Sequence, residues 1–252
     1  MDLQNTVSTI QNGEDRFDAL FSDIVPFSPH LYKQTDAVLP DMYDHNAFVT
    51  NGMPTKKELE EAENYQKKHD ADFLKINSKI KLPNEWIEDF RLEEDLTYTM
   101  LLEKGYAEKW KTNASVTVKC LKQEDIRTDI LDVELQTYGS DYGEDFVRRK
   151  MRRYLDMSES QEDFYYFGAY LHGQTAGACY AFVTDGWVCI DGLAVIPEFR
   201  HQYVATTLLA HIARLFEERL YLHADAADTP KNMYAKMGFR TVDSCYEYNY
   251  RD

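Results

Sequence analysis

The chain has 252 residues, of which 44% are hydrophobic and 29% charged, a composition that builds a packed core and excludes a disordered polypeptide. Its formal net charge of -16 excludes a broadly basic nucleic-acid surface and disfavours anionic membranes, leaving a neutral or cationic ligand as the better fit.

From Asp15 to about Lys111 the pattern is irregular and rich in loops. Pro26, Pro29, Pro40 and Pro54 interrupt the stretch from Ile24 to Thr55, so no long helix is expected there. The first clear element is a helix over TKKELEEAENYQKKH, with Thr55 as N-cap and Glu58 three residues later, a capping box. It is predicted to end near His69. DFLKI (Asp72–Ile76) reads as a short strand. Phe90–Glu103 reads as a longer one with Leu96, Tyr98, Met100 and Leu102 on one face. Lys104–Asn113 is polar and reads as a linker.

Beyond Ala114 the periodicity tightens. Ser115–Cys120 alternates as a strand. Gln123–Thr137 is predicted helical with Ile126, Ile130, Val133 and Thr137 on one face, and Gly143–Met157 forms a second helix. Phe164–Leu171, Thr175–Thr184 and Trp187–Val195 are three strands separated by the turns His172-Gly173 and Asp185-Gly186, hence an antiparallel meander. A helix over Gln202–Glu217, a strand over Leu220–Ala224, a short helix over Pro230–Met237 stopped by Gly238, and a strand over Phe239–Tyr248 complete the order. No short internal repeat is visible.

A strand ending at Val195, a turn with Pro197 and a helix beginning near Gln202 place unpaired N–H groups and a partial positive charge at the helix start, which suits an anion such as a pyrophosphate. With that order, the segment IDGLAVIPEFRHQYVATTLLAHI (Ile190–Ile212) resembles the GNAT superfamily of N-acetyltransferases. The resemblance covers about Ser115 to Tyr248. It implies an α+β (α/β) fold with a mixed, mostly antiparallel central sheet flanked by helices, preceded by a smaller α+β region. The implied domains are 1–113, a degenerate GNAT-like half as in two-domain members, and 114–252, the transferase.

In that family an Arg/Gln-x-x-Gly-x-Gly/Ala turn cradles the pyrophosphate of acetyl-coenzyme A, and the preceding strand pairs with its pantetheine arm. The matching residues are Arg200, His201, Gln202, Tyr203, Val204 and Ala205, followed by Thr206, with Leu193 and Val195 on the strand. Tyr203 replaces the family's Gly. Helical φ/ψ in a first helical turn would let tyrosine stand there without strain, and that is the expectation. A positive φ would cost ~1–2 kcal/mol.

The block ADTPKNMYAKMGF (Ala227–Phe239) resembles the family's last helix, in which Tyr234 matches a tyrosine that often protonates the departing thiolate. The competing reading is a packed helix aromatic. Asp191, two before Leu193 and so expected on the same strand face, is the first candidate for base or ammonium anchor; its competing reading is a turn carboxylate. Glu134, Tyr138 and Asp141 lie where the family shapes its acceptor pocket. The basic run Arg148, Arg149, Lys150, Arg152 and Arg153 reads as a solvated face paired with Glu144 and Asp145.

Cys120, Cys179, Cys189 and Cys245 show no CxxC spacing, and no His/Cys spacing suggests a metal. No leader pattern and no ~20-residue apolar run appears. The expectation is therefore a cytoplasmic enzyme, monomeric or homodimeric, without metal. It would move an acetyl group from acetyl-coenzyme A to a primary amine on a small molecule, and would bind neither nucleic acid nor membrane. The alternative is a non-catalytic acyl-coenzyme A sensor or interaction protein on the same scaffold.

Overall fold

The computed structural model describes residues 3–121, 124–184 and 186–251. Gln123, Asp185 and the side chain of Ile126 lie outside the described residues. Two compact units form. The first holds Met1–Thr99, Ala224–Lys231 and Thr241–Asp252, and the second holds Met100–His223 and Asn232–Arg240. The chain thus divides at Thr99 rather than at 113, and returns to the first unit at its end.

Unit 1 contains α1 (Leu3–Phe21), β1 (Asp23–Ser28), β2 (Leu31–Thr35), β3 (Phe48–Thr50), α2 (Lys56–Lys68), β4 (Phe73–Ser78), α3 (Asn84–Asp89) and most of β5 (Glu93–Leu102). α1 has no counterpart in the sequence reading. Its buried stripe includes Thr6, Ile10, Gly13 and Phe21, and two of these four are not apolar, so the helical period was hidden. β1 was hidden by Pro26, which an edge strand tolerates because no ladder donor is needed on its open side. The α2 capping box forms as expected: Glu58 N–H donates to Thr55 Oγ1 at 3.3 Å, and Thr55 N–H donates to Glu58 Oε2 at 2.7 Å. Leu59 and Ala62 of α2 pack with Leu31, Phe48, Leu74 and Ile76 into the unit's core.

Unit 2 contains β6 (Val116–Leu121), α4 (Glu124–Tyr142), α5 (Glu144–Ser160), β7 (Phe164–Leu171), β8 (Gln174–Thr184), β9 (Trp187–Val195), α6 (Val204–Phe216), the body of β10 (Arg219–Asp225) and most of α7 (Pro230–Met237). The predicted linker is instead a 3-10 turn over Tyr106–Lys109. β6 to β9 pair antiparallel in sequence order, and β10 pairs parallel with β9. α4 packs on β7, β8 and β9, while α6 packs on β6 through β9. The apolar stripes are regular: Val147, Met151, Tyr154 and Leu155 on α5, and Val204, Leu208, Leu209 and Ile212 on α6. The result is a mixed, mostly antiparallel sheet flanked by helices.

The two units repeat one order: a helix, three antiparallel strands, a helix crossing over to a parallel strand, then a short helix. In unit 1 these are α1, β1–β3, α2, β4 and α3; in unit 2 they are α5, β7–β9, α6, β10 and α7. β11 (Arg240–Arg251), read from sequence as closing the transferase half, pairs antiparallel with β4 in unit 1.

Candidate active site

The site begins with a fault in β9. Tyr180 on β8 pairs with Asp191, and Ala178 pairs with Ala194, so Gly192 and Leu193 stand opposite the single residue Cys179. This is a β-bulge, and Gly192 supplies the positive φ of 59° it requires. The extra residue breaks period-two counting, so the shared face expected for Asp191 and Leu193 does not follow from their spacing. The parallel ladder with β10 ends at the Ile190–Leu222 pair, just before the bulge. Past it, Val195 C=O accepts from Arg200 Nε at 3.2 Å.

The turn after β9 runs through a 3-10 segment, Pro197–Phe199, to α6. His201 and Tyr203 both adopt left-handed backbone, with φ of 63° and 61°. Tyr203 is therefore the N-cap of α6, not a residue of its first turn, and the expectation of helical φ/ψ is corrected. The first intrahelical bond is Thr207 N–H to Tyr203 C=O at 2.9 Å, so the N–H groups of Val204, Ala205 and Thr206 precede the ladder. No side chain caps this end. Gln202 donates through Nε2 to Glu198 C=O, and Asn113 Nδ2 donates to Gln202 C=O at 3.0 Å. Asn113 N–H also donates to Thr207 Oγ1 at 2.9 Å, so a residue read as linker clamps the turn.

Tyr203 is 43% exposed, with Lys111 Nζ 4.6 Å from its ring centre. Left-handed backbone costs a non-glycine residue about 1–2 kcal/mol, and the cation–π contact returns about 0.5–1. Tyr203→Gly is therefore expected to stabilise the protein by up to ~1 kcal/mol, raising Tm by about 2–4 °C in a melt. Coenzyme A affinity should hold or improve by calorimetry; a large loss would show that the ring itself binds.

A second group of side chains leads from α4 to the bulge. Glu134 is 3% exposed and accepts from Lys150 Nζ at 3.2 Å. The Lys150 ammonium lies 5.7 Å from the ring centres of both Tyr138 and Tyr154. Tyr154 packs on Tyr180 with ring centres 5.3 Å apart, and Tyr180 OH donates to Asp191 Oδ2 at 2.5 Å. Asp191 Oδ1 accepts from Gly192 N–H at 2.6 Å. Burial pushes the Tyr138 and Tyr180 phenols up, and the carboxylates Glu134 and Asp191 respectively push the same way. Burial works to lower the Lys150 ammonium, but Glu134 and Asp191 outweigh it and hold the group above its ordinary value.

The structure thus brings Glu134 and Tyr138 together around Lys150 and leaves Asp141 exposed, bonded to its neighbour Ser140. Arg148 and Arg149 pair with Glu144 and Asp145 on the solvated face, as read from sequence. Lys150 does not belong with them. Its spacing from Val147 and Tyr154 put it on the apolar stripe of α5, a signal present in the sequence but masked by the neighbouring arginines. Tyr234 on α7 is 8% exposed and meets Phe239 edge-on at 5.6 Å. Among the described residues, no group of three or more His, Cys, Asp or Glu forms a metal site, and no helix is long and apolar enough to cross a membrane.

Residues 128–239 match the model of the acetyltransferase (GNAT) family. No curated protein matches the chain in sequence. Among solved structures, a functionally unknown conserved protein from Staphylococcus epidermidis ATCC 12228 is similar with a TM-score of 0.79 at 20% identity, covering 92% of this chain and 94% of the other. A GCN5-related N-acetyltransferase from Kribbella flavida gives 0.68 at 14% identity, over 96% and 95%. A tandem GNAT protein from the clavulanic acid biosynthesis pathway gives 0.58 at 13%, over 88% and 78%. At these identities the likeness is one of fold. The family match thus assigns residues 128–239 to the acetyltransferase (GNAT) family, and that stretch holds the bulged β9 and the start of α6 that no side chain caps.

Proposed function

We propose that unit 2 moves an acetyl group from acetyl-coenzyme A to a primary amine, on a small molecule rather than a protein, by direct attack in a ternary complex. The observation that carries this reading is the start of α6, which has no side-chain cap and follows a strand already released from its neighbour. The contrast with α2 sharpens it. There the equivalent end is closed by Thr55 and Glu58, and a carboxylate sits where an anion would bind. Unit 1 is accordingly read as a GNAT-like half that has lost its anion seat.

The residues fit the cosubstrate. The N–H groups of Val204, Ala205 and Thr206, with the turn Arg200 to Tyr203, would hold the pyrophosphate, and the backbone of Leu193 and Val195 would face the pantetheine arm. Acetyl-coenzyme A supplies the activated acyl group as a thioester. Asp191 takes the proton of the attacking amine, directly or through one water, from a carboxylate already fixed by two donors. Tyr234 gives a proton to the leaving thiolate; a phenol near pKa 10 holds its proton at neutral pH and a bound thiolate takes it. Glu134, Tyr138 and Asp141 are proposed to shape the acceptor side, with Lys150 added to them. Asp191 and the surrounding rings favour a cationic amine. The setting proposed is cytoplasmic, and the protein a monomer or homodimer.

Thiol release from acetyl-coenzyme A across a panel of amines tests the reading. Tyr234→Phe is expected to lower kcat by about 10²-fold with cofactor affinity retained. The strained N-cap at Tyr203 favours a second reading, a non-catalytic acyl-coenzyme A sensor, and cofactor binding without turnover of any amine would support it. Failure to bind the cofactor would sink both.

A further inference from the structure

We propose that Tyr180 is a positioning residue for acetyl transfer: its phenol and the bulge at Gly192 together aim the Asp191 carboxylate. This rests on the reading of Asp191 as the base. Three observations converge. The bulge places Asp191 directly opposite Tyr180 on the neighbouring strand, so side chains from the two strands meet. Each carboxylate oxygen then has its own donor, Tyr180 OH on Oδ2 at 2.5 Å and Gly192 N–H on Oδ1 at 2.6 Å. Finally, Gly192 makes room for the ring, since a Cβ there would stand 2.5 Å from Tyr180 Cε1. Glycine is thus required twice at one position, for its backbone and for the space beside it.

Tyr180 is 6% exposed, in ring contact with Tyr154, Phe164 and Tyr166, so its hydroxyl has little freedom to leave Asp191. The phenol keeps its proton throughout. The proton that moves goes from the acceptor amine to the Asp191 carboxylate, and the phenol fixes the direction from which that carboxylate receives it.

The test has two arms. With tyrosine 13Cζ-labelled protein and no cofactor, the Tyr180 resonance, assigned by its loss in Tyr180→Phe, is expected to move in Asp191→Asn. An unmoved resonance overturns the contact. In thiol release with an amine that is turned over, Tyr180→Phe is expected to lower kcat about tenfold, leave the acetyl-coenzyme A KM unchanged, and have no further effect in an Asp191→Asn background. Gly192→Ala, which displaces the ring, is expected to lower kcat at least as far. A Tyr180→Phe enzyme with normal kcat beside an inactive Asp191→Asn enzyme overturns the role of Tyr180 and leaves that of Asp191 standing. Full activity in Asp191→Asn, or no turnover of any amine, overturns the base and this proposal with it.

Discussion

In the Asp191→Asn variant, acetyl transfer is expected to fall by about two to four orders of magnitude in kcat/KM while the dissociation constant for acetyl-coenzyme A stays unchanged. Asparagine is nearly isosteric. Its amide oxygen still accepts from Tyr180, while its amide nitrogen cannot accept from Gly192 N–H, so one local hydrogen bond is given up and the ladder of β8 with β9 is left to hold the bulge. The larger loss is the ability to take a proton. The proposed cofactor contacts lie along β9 beyond the bulge and at the start of α6, and the substitution does not touch them. Initial rates of thiol release and calorimetric titration of the cofactor separate the two effects. Activity within threefold of the parent would remove Asp191 from the chemistry.

The largest expected effect on stability comes from Lys150→Ala. Lys150 and Glu134 are 19% and 4% exposed in their side chains, and their contact is 3.2 Å. Removing the ammonium leaves Glu134 charged and enclosed without its cation, a change that costs about 3–5 kcal/mol. At roughly 2–4 °C per kcal/mol for a chain of this size, the melting temperature should fall by about 10 °C. Replacing both partners, as Lys150→Met with Glu134→Gln, should recover part of the loss, because no buried charge is then stranded. Arg148→Ala, which breaks the exposed pair with Glu144 on the same helix, serves as the contrast and should cost no more than about 0.5 kcal/mol. A Lys150→Ala loss as small as that would show that water reaches the pair.

Elements whose signals are local were readable. The capping box at Thr55 and Glu58 starts α2, and Pro230 and Gly238 bound α7 at the predicted residues. The turn at His172 and Gly173 joins β7 to β8 with φ of 53° and 80°, as a two-residue hairpin demands. Elements that depend on partners were not readable. α1 shows its buried face through Thr6 and Gly13, which no hydrophobic pattern marks. Nothing in Arg240–Arg251 says that its ladder partner is β4. In the candidate site, the residue types were visible but their geometry was not. A glycine between Asp191 and Leu193 gives no warning of a bulge, and Tyr203 gives none of a left-handed N-cap. The path from Glu134 through Lys150 and Tyr154 to Tyr180 joins α4, α5 and β8, and such a path exists only once those elements have packed.

The assignment of β11 to the first unit has a consequence for how the chain is made. During translation, α1 through β5 leave the ribosome with the β4 edge unpaired, and the strand that covers it, the 12-residue β11, follows only after the body of unit 2. An uncovered edge will accept any extended segment that meets it. Unit 1 is therefore begun before unit 2 but completed after it, and a cut between the halves would part β4 from its strand partner β11. Selection on Arg240–Arg251 is then selection on the folding of a unit whose other strands were made long before it.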